Sequence, residues 1–255
     1  GNTISQRQIE QLPQATRNFL EFADTVPGMQ FKINAQGTAE LRSGATNTSS
    51  TNLFIDVVSQ KSYVERGGIA GQQQSAGNPF PQLAIGEYKV ITSNYKAEYG
   101  QISGAAITAA TRSGTNEFQG EAFYRYTDES MREKLPSEDE KGKSQVKEWG
   151  VALGGPILKD RMHFFIAYEN KENIYARSIQ PSAESGNAWE FLPEDLRSYY
   201  GAAYLPFNED LYFAKLSWDI GERDRLELSG QHRDETQAGN IGGLDTPEHG
   251  QQRIN

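Results

Sequence analysis

The chain has 255 residues, with 25 Lys plus Arg against 34 Asp plus Glu, a formal net charge of −9 and no cysteine. That acidity disfavours a polyanionic partner such as nucleic acid, and a hydrophobic content of 36% with a mean hydropathy of −0.69 leaves little for a large soluble core. No stretch approaches the roughly 20 apolar residues of a membrane helix. The opening GNTISQRQ has neither part of a signal peptide, so any such peptide is expected to be already removed or not included.

The first 30 residues read as helical. Ser5 can cap, Ile9 and Leu12 share a face, Pro13 interrupts, and Phe19, Leu20, Phe22, Ala23 and Val26 resume before Pro27-Gly28 ends the run. From Phe31 to about Asn116, short β-type runs (LFIDVV, EYKVIT, AAITAAT) are separated by tracts such as RSGATNTSSTN and GGIAGQQQSAGNPFP, which are loops by composition.

After Thr115 the period becomes two. In Glu117 to Asp128, Gln119, Glu121, Arg125 and Thr127 alternate with Phe118, Gly120, Ala122, Tyr124 and Tyr126, and only Phe123 departs from the polar face. The alternation recurs at Trp149, Val151 and Leu153; at Met162, Phe164, Ile166 and Tyr168, with Phe165 an exception; at Tyr212, Ala214, Leu216 and Trp218; and at Leu226 and Leu228. These are five amphipathic strands.

Connections decide what sheet they make. GGPILKDR and DIGERD are compact, whereas Glu129 to Lys147 and Tyr175 to Glu209 are long and polar. Short and long connections therefore alternate, the layout of an outer-membrane barrel. A strand of about 12 residues, rising about 3.3 Å per residue at a tilt of about 45°, covers roughly 28 Å, close to the apolar band of such barrels. Tyr124, Tyr126, Tyr168 and Trp218 suit its interfacial girdles.

In this order, LPQATRNFLEFADTVPGM, LFIDVV, AIGEYKVITSNYKAEYGQISGAAITAATRSGTNEFQGEAFYRY and GVALGGPILKDRMHFFIAYE resemble the plug and first barrel strands of TonB-dependent outer-membrane receptors, nearest to the Oar-like branch. The resemblance covers most of residues 6 to 170. It implies a mixed fold: a small α+β plug at about residues 1–115, then, over 116–255, the N-terminal portion of an antiparallel transmembrane β-barrel, about five strands of a larger one. Gly100, Gly104, Ala105 and Ala106 would let a plug strand run close to its neighbours. Arg112 to Asn116 would be the crossover to the barrel, with the turn at Ser113-Gly114. Asp56 matches the family's Asp-Gly pair, whereas Val57 stands where its glycine would be, which bears on the turn expected there.

The implied function is TonB-dependent active transport of a scarce or large substrate across the outer membrane of a Gram-negative cell, with the plug gating the barrel. TonB would pull an N-terminal segment that is not seen ahead of Ser5, so the chain is expected to be part of a longer receptor ending in a third extracellular loop. Outer-membrane lipid and lipopolysaccharide would surround it. Arg42 and Arg112 are expected to make plug–barrel contacts through bidentate carboxylate pairing. Ligand would meet the loop bearing Ser93, Asn94, Tyr95, Lys96, Glu98 and Tyr99, which offers aromatic, charged and amide groups, and the loop bearing Gln72, Gln73, Gln74 and Phe80.

Enzymatic readings find no convergent site, so no catalytic residue, metal or cofactor is expected. His163, His232 and His249 have no metal-type spacing. Glu194-Asp195 and the run Glu138 to Glu140 lack a calcium-loop pattern, and Ser103 lacks a nucleophile elbow. Two other classes keep parts of the pattern. A surface adhesin or structural β-protein would want turns of similar length at both ends of a sandwich, and a passive porin would need no preceding plug.

Overall fold

The computed structural model describes residues 2–11, 14, 16–33, 39–43, 51–60, 75, 77–91, 105–131, 133, 143–179, 193–194, 201–240 and 249–254. The chain divides into two compact units, one of Gly1–Ala122, Gly150–Glu169 and Leu211–Arg233, the other of Phe123–Trp149, Asn170–Asp210 and Asp234–Asn255. Among the described residues no helix is long and apolar enough to cross a membrane.

The first unit opens with strand β1 (Asn2–Ser5), the short helix α1 (Gln6–Gln11) and a 3-10 segment at Phe19–Thr25. The helical expectation for the first 30 residues is therefore corrected. The Gln8 side chain reaches back to Ser5, its Oε1 accepting the Ser5 N–H at 3.0 Å and the Ser5 hydroxyl at 3.2 Å. The residues before it, however, are taken up in backbone pairing with β6 (Ile85–Ile91), from Asn2↔Val90 to Ser5↔Glu87. Asn18 caps the 3-10 segment by accepting the Leu20 N–H at 3.0 Å.

Strands β4 (Thr51–Ile55), β5 (Val58–Ser59) and β7 (Ala105–Thr111) complete a five-stranded sheet of order β1-β6-β7-β4-β5, in which only β4 and β7 pair in parallel. Strands β2 (Met29–Ile33) and β3 (Ala39–Ser43) form a separate hairpin, with Arg42 opposite Gln30. Ala105, Ala106 and Ala109 of β7 are buried between its two neighbours. Phe19 and Phe22 close the core edge-on against Tyr88 of β6, with ring centroids 5.8 and 6.3 Å away.

LFIDVV is not one strand. Asp56 and Val57 have φ of 46° and 70° and form the β4–β5 turn without the family's glycine. Positive φ at a β-branched residue costs about 1–2 kcal/mol. The turn is held because Asp56 accepts the Thr111 N–H at 2.8 Å and also its hydroxyl.

A second sheet, order β13-β12-β11-β10-β9-β8, is an up-and-down meander of β8 (Gln119–Asp128), β9 (Gln145–Leu158), β10 (Met162–Ile179), β11 (Gly201–Asp219), β12 (Arg225–Asn240) and β13 (His249–Ile254). Six strands replace the expected five. They also run further than expected, so the connections shrink to 180–200 between β10 and β11 and 241–248 between β12 and β13. The chain's end lies on a strand rather than in a loop. The missed ends of β12 and β13 are polar on both faces, as in HGQQRI, and carry no period-two signal, whereas the β11 extension GAAYLPF is apolar but does not alternate strictly.

Within the apolar stretches the alternation holds. Val151, Leu153, Ile166, Tyr212, Trp218 and Leu228 are exposed, while Ala152, Phe165, Ala167, Glu169, Phe213, Lys215 and Ser217 are buried on the opposite, inner face. Phe165, the apparent exception, sits among those inner residues and packs on Phe213 at 6.3 Å. In the second unit Glu148 lies 3.4 Å from Arg125 and 3.8 Å from Lys171. The Asn170 amide there donates to Asp210 at 3.0 Å.

Candidate functional site

The crossover from the first sheet to the second runs through Arg112 to Phe118. A Cβ on Gly114 would collide with the Phe164 carbonyl oxygen and fall 2.9 Å from that of Gly155, so backbone lies directly on backbone there. Asn116 fastens the crossover to the β9–β10 turn: its Oδ1 accepts the Asp160 N–H at 2.8 Å and lies 2.7 Å from His163 Nε2. The Phe118 ring covers Gly155, where any side chain would collide with it.

Three charged nodes join the N-terminal segments of the first unit to the inner face of its strands. Arg17, just before the Asn18 cap, places Nη2 at 3.0 Å from Glu169 Oε1, and the same oxygen accepts the Leu83 N–H at 2.9 Å. Arg112, at the end of β7, has its N–H on the Ala84 carbonyl at 2.8 Å. Its Nη1 reaches the Leu83 carbonyl at 3.1 Å and Glu121 Oε2 at 2.8 Å, and its guanidinium lies 5.0 Å from the Phe165 ring centre. Lys215 of β11 donates to Thr111 Oγ1 at 3.0 Å and lies 3.6 Å from Asp56 Oδ2 and 3.9 Å from Glu227 Oε2.

Between the nodes, Phe80 packs on Phe213 at 5.3 Å. The seat thus combines a Phe80–Phe213–Phe165 cluster with charged nodes around it. Buried ion pairs contribute little net stability because desolvation offsets attraction, but they fix register. Breaking one leaves a charge that water can recover once the surfaces part, so such a layer specifies a position without welding it.

Of the residues singled out from the sequence, Ser93, Asn94, Tyr95, Lys96, Glu98, Tyr99, Gln72, Gln73 and Gln74 lie outside the described residues. Phe80 is only 2% exposed, its ring taken up by Phe213. Arg42 is placed by its backbone alone, in the β2–β3 hairpin. Arg112 meets Glu121 of β8. Glu121, Glu169, Lys215 and Glu227 lie on the face that strand alternation assigns them, but nothing in the local pattern paired Arg17 with Glu169, 152 positions away. Among the described residues no group of His, Asp or Glu is arranged to hold a metal ion.

Residues 110–185 match the outer membrane beta barrel domain. Over 242 residues the chain is 26% identical to the TonB-dependent transporter Oar of Myxococcus xanthus, an alignment covering 84% of this chain and 21% of that protein. The family likeness is to TonB-dependent outer-membrane receptors. Solved structures agree on the fold. The outer membrane transporter YddB of Escherichia coli superposes with a TM-score of 0.67 at 14% identity, covering 93% of this chain and 33% of its own. The ferric enterobactin receptor PfeA of Pseudomonas aeruginosa, in complex with enterobactin, gives 0.57 at 17%, covering 92% and 33%. The FrpB iron transporter of Neisseria meningitidis gives 0.54 at 12%, covering 93% and 41%. The chain thus spans about a fifth of the curated relative and about a third of the first two solved structures. The barrel match lies over residues 110–185, and the place these likenesses support is the outer membrane.

Proposed function

We propose that the chain works within a TonB-dependent transporter, with residues 1–115 as a plug and 116–255 as the first strands of the barrel that surrounds it. The plug gates passage of a scarce or large solute, and TonB, engaging an N-terminal segment, supplies the work. One observation carries this reading: charged nodes, Arg17–Glu169, Arg112–Glu121 and Lys215–Asp56, join the N-terminal segments to the strand wall around the Phe80–Phe213–Phe165 cluster. A module meant to stay put would bury grease. One meant to shift and return benefits from contacts that water can replace.

A non-catalytic role fits relatives described as transporters and receptors. The solute is sought among large, scarce compounds, since two of the similar structures are a ferric enterobactin receptor and an iron transporter. Lipopolysaccharide surrounds the barrel in this reading. Ligand meets the β6–β7 connection through Ser93, Asn94, Tyr95, Lys96, Glu98 and Tyr99, and the segment bearing Gln72, Gln73 and Gln74. Arg42 joins Arg112 in holding plug to barrel.

The test is uptake by cells expressing the full-length protein with and without TonB, together with binding by Tyr95→Ala and Tyr99→Ala. Uptake should vanish without TonB, and both variants should bind solute at least about tenfold more weakly, equivalent to ~1.4 kcal/mol, at unchanged abundance in the outer membrane. Uptake that persists without TonB contradicts the mechanism. Unchanged affinity in both variants moves ligand recognition to the other extracellular loops.

A further inference from the structure

The N-terminal segments of the first unit are held to its strands in two physically different ways. At Arg17–Glu169 the contact is between charged side chains, and water can take over both charges when they part. At the crossover it is backbone on backbone, closed by the side chain of Asn116.

Asn116 uses both halves of its amide. Its Oδ1 accepts the Asp160 N–H at 2.8 Å and lies 2.7 Å from His163 Nε2, which can only donate to it, while its Nδ2 donates to Asp160 Oδ1 at 2.5 Å. A carboxylate at this position could not donate and would face Asp160 charge to charge. Both sides of the clasp are preformed turns. Asp160 has a φ of 63°, a left-handed geometry that Asp and Asn tolerate better than other residues with side chains. The turn is braced on the wall, since the Arg161 N–H donates to the Leu158 carbonyl at 3.0 Å and the Arg161 carbonyl accepts the Asp219 N–H of β11 at 2.7 Å. On the crossover, the Thr115 hydroxyl donates to the Glu117 carbonyl at 3.0 Å and accepts the Glu117 N–H at 3.3 Å.

We propose that Asn116 is a positioning residue that fixes residues 112–118 to the β9–β10 turn as a pivot, which stays on the wall while the seat at Arg17–Glu169 comes away and returns. The inference rests on the reading of residues 1–115 as a plug. Its basis is unequal cost. Opening Arg17–Glu169 exchanges a buried ion pair for hydrated charges, a small net change. Lifting the crossover strips the Asn116 amide of three partners and parts a contact so close that a Cβ on Gly114 would collide with the Phe164 carbonyl. Arg112, through Glu121 of β8, belongs to the same fixed end. A segment that must regain its place after leaving it is guided back by an end that never left.

The full-length protein is placed in planar bilayers in KCl, and urea is raised until current appears and then withdrawn. In parallel, hydrogen exchange in mild detergent at the same urea concentrations is read by mass spectrometry on peptides spanning Leu83, whose N–H Glu169 holds, and Asp160, whose N–H Asn116 holds. In the unaltered protein the Leu83 peptide should lose protection as current appears, the Asp160 peptide should keep it, and the pore should close again. Asn116→Asp should speed exchange at Asp160 at least about tenfold, the scale expected for losing a hydrogen bond to a charged group, and should leave the pore open after urea is withdrawn. Combining it with Asp160→Asn, which exchanges amide and carboxylate between the two positions, should restore reclosure. These 255 residues include no cysteine, so Arg17→Cys with Glu169→Cys can be joined by a disulfide, which should keep the pore closed until a reductant is added. Loss of protection at Asp160 together with Leu83 in the unaltered protein, or reclosure of Asn116→Asp as complete as that of the unaltered protein, would overturn the pivot. Release of Leu83 without any current would instead count against residues 1–115 as a plug, and against the pivot with it.

Discussion

Tyr88 shows how one group sets a pH limit on the N-terminal sheet. It is fully buried against Phe19 and Phe22, and its hydroxyl has no hydrogen-bond partner among the described residues. Burial, with a smaller push from Asp24, raises its pKa well above the ordinary tyrosine value. Because the folded pKa is raised, the stabilisation is fully present below the unfolded value of about 10 and is lost as pH rises beyond it. Tyr88→Phe should abolish that alkaline loss while leaving stability at pH 7 unchanged or higher by about 1 kcal/mol, since it removes an unpaired buried hydroxyl. Urea titrations at pH 7 and pH 11 check both parts; a large loss at pH 7 would show that the hydroxyl does have a partner. Arg112 is the counterpart in the seat, where one side chain serves the Leu83 carbonyl, Glu121 and Phe165. Arg112→Ala should lower resistance of the N-terminal sheet to urea by about 1–3 kcal/mol, read as protease access to residues 1–111. An unchanged midpoint would mean that Arg112 is merely solvated.

Strand faces are the clearest property at the level of elements. Ile166 is exposed on the outer face and Phe165 and Ala167 are buried on the inner one, so Ile166→Arg should destabilise the barrel by about 2–4 kcal/mol if the site lies near the midplane. Unfolding from lipid vesicles measures this, and a cost below about 1 kcal/mol would place residue 166 near an interface. The period-two signal made these strands legible because each residue there faces either lipid or the interior, two environments of opposite polarity. Where both faces are polar, as in the far end of β12 and all of β13, the same backbone leaves no such trace, and at the start of β11 the run GAAYLPF is apolar without strict alternation. The N-terminal segment failed differently. Ile4, Ile9, Phe19 and Phe22 are all core residues, but their spacing suits a helix, and whether Asn2–Ser5 becomes a strand depends on the distant edge of β6. The seat was half legible: alternation turned Glu121, Glu169 and Lys215 inward, but only the fold brings Arg17 and Asp56 to them.

At the scale of the first unit, charge separates the two faces of its strands. The exposed outer positions Val151, Leu153, Ile166, Tyr212 and Trp218 are apolar or aromatic, and the inner face carries Glu169 and Lys215, which meet the N-terminal segments. The Gly114 crossover ties the two sheets by backbone contact that no larger residue could enter. In the proposed working cycle the sheet shifts against the wall while that tether keeps it in register for return. The most direct measurement is the conductance of the full-length protein in planar bilayers, before and after deletion of residues 1–111. A gating plug predicts that the intact protein is closed and that the deletion leaves a large, persistent pore. Equal conductance in the two, whether open or closed, would contradict it.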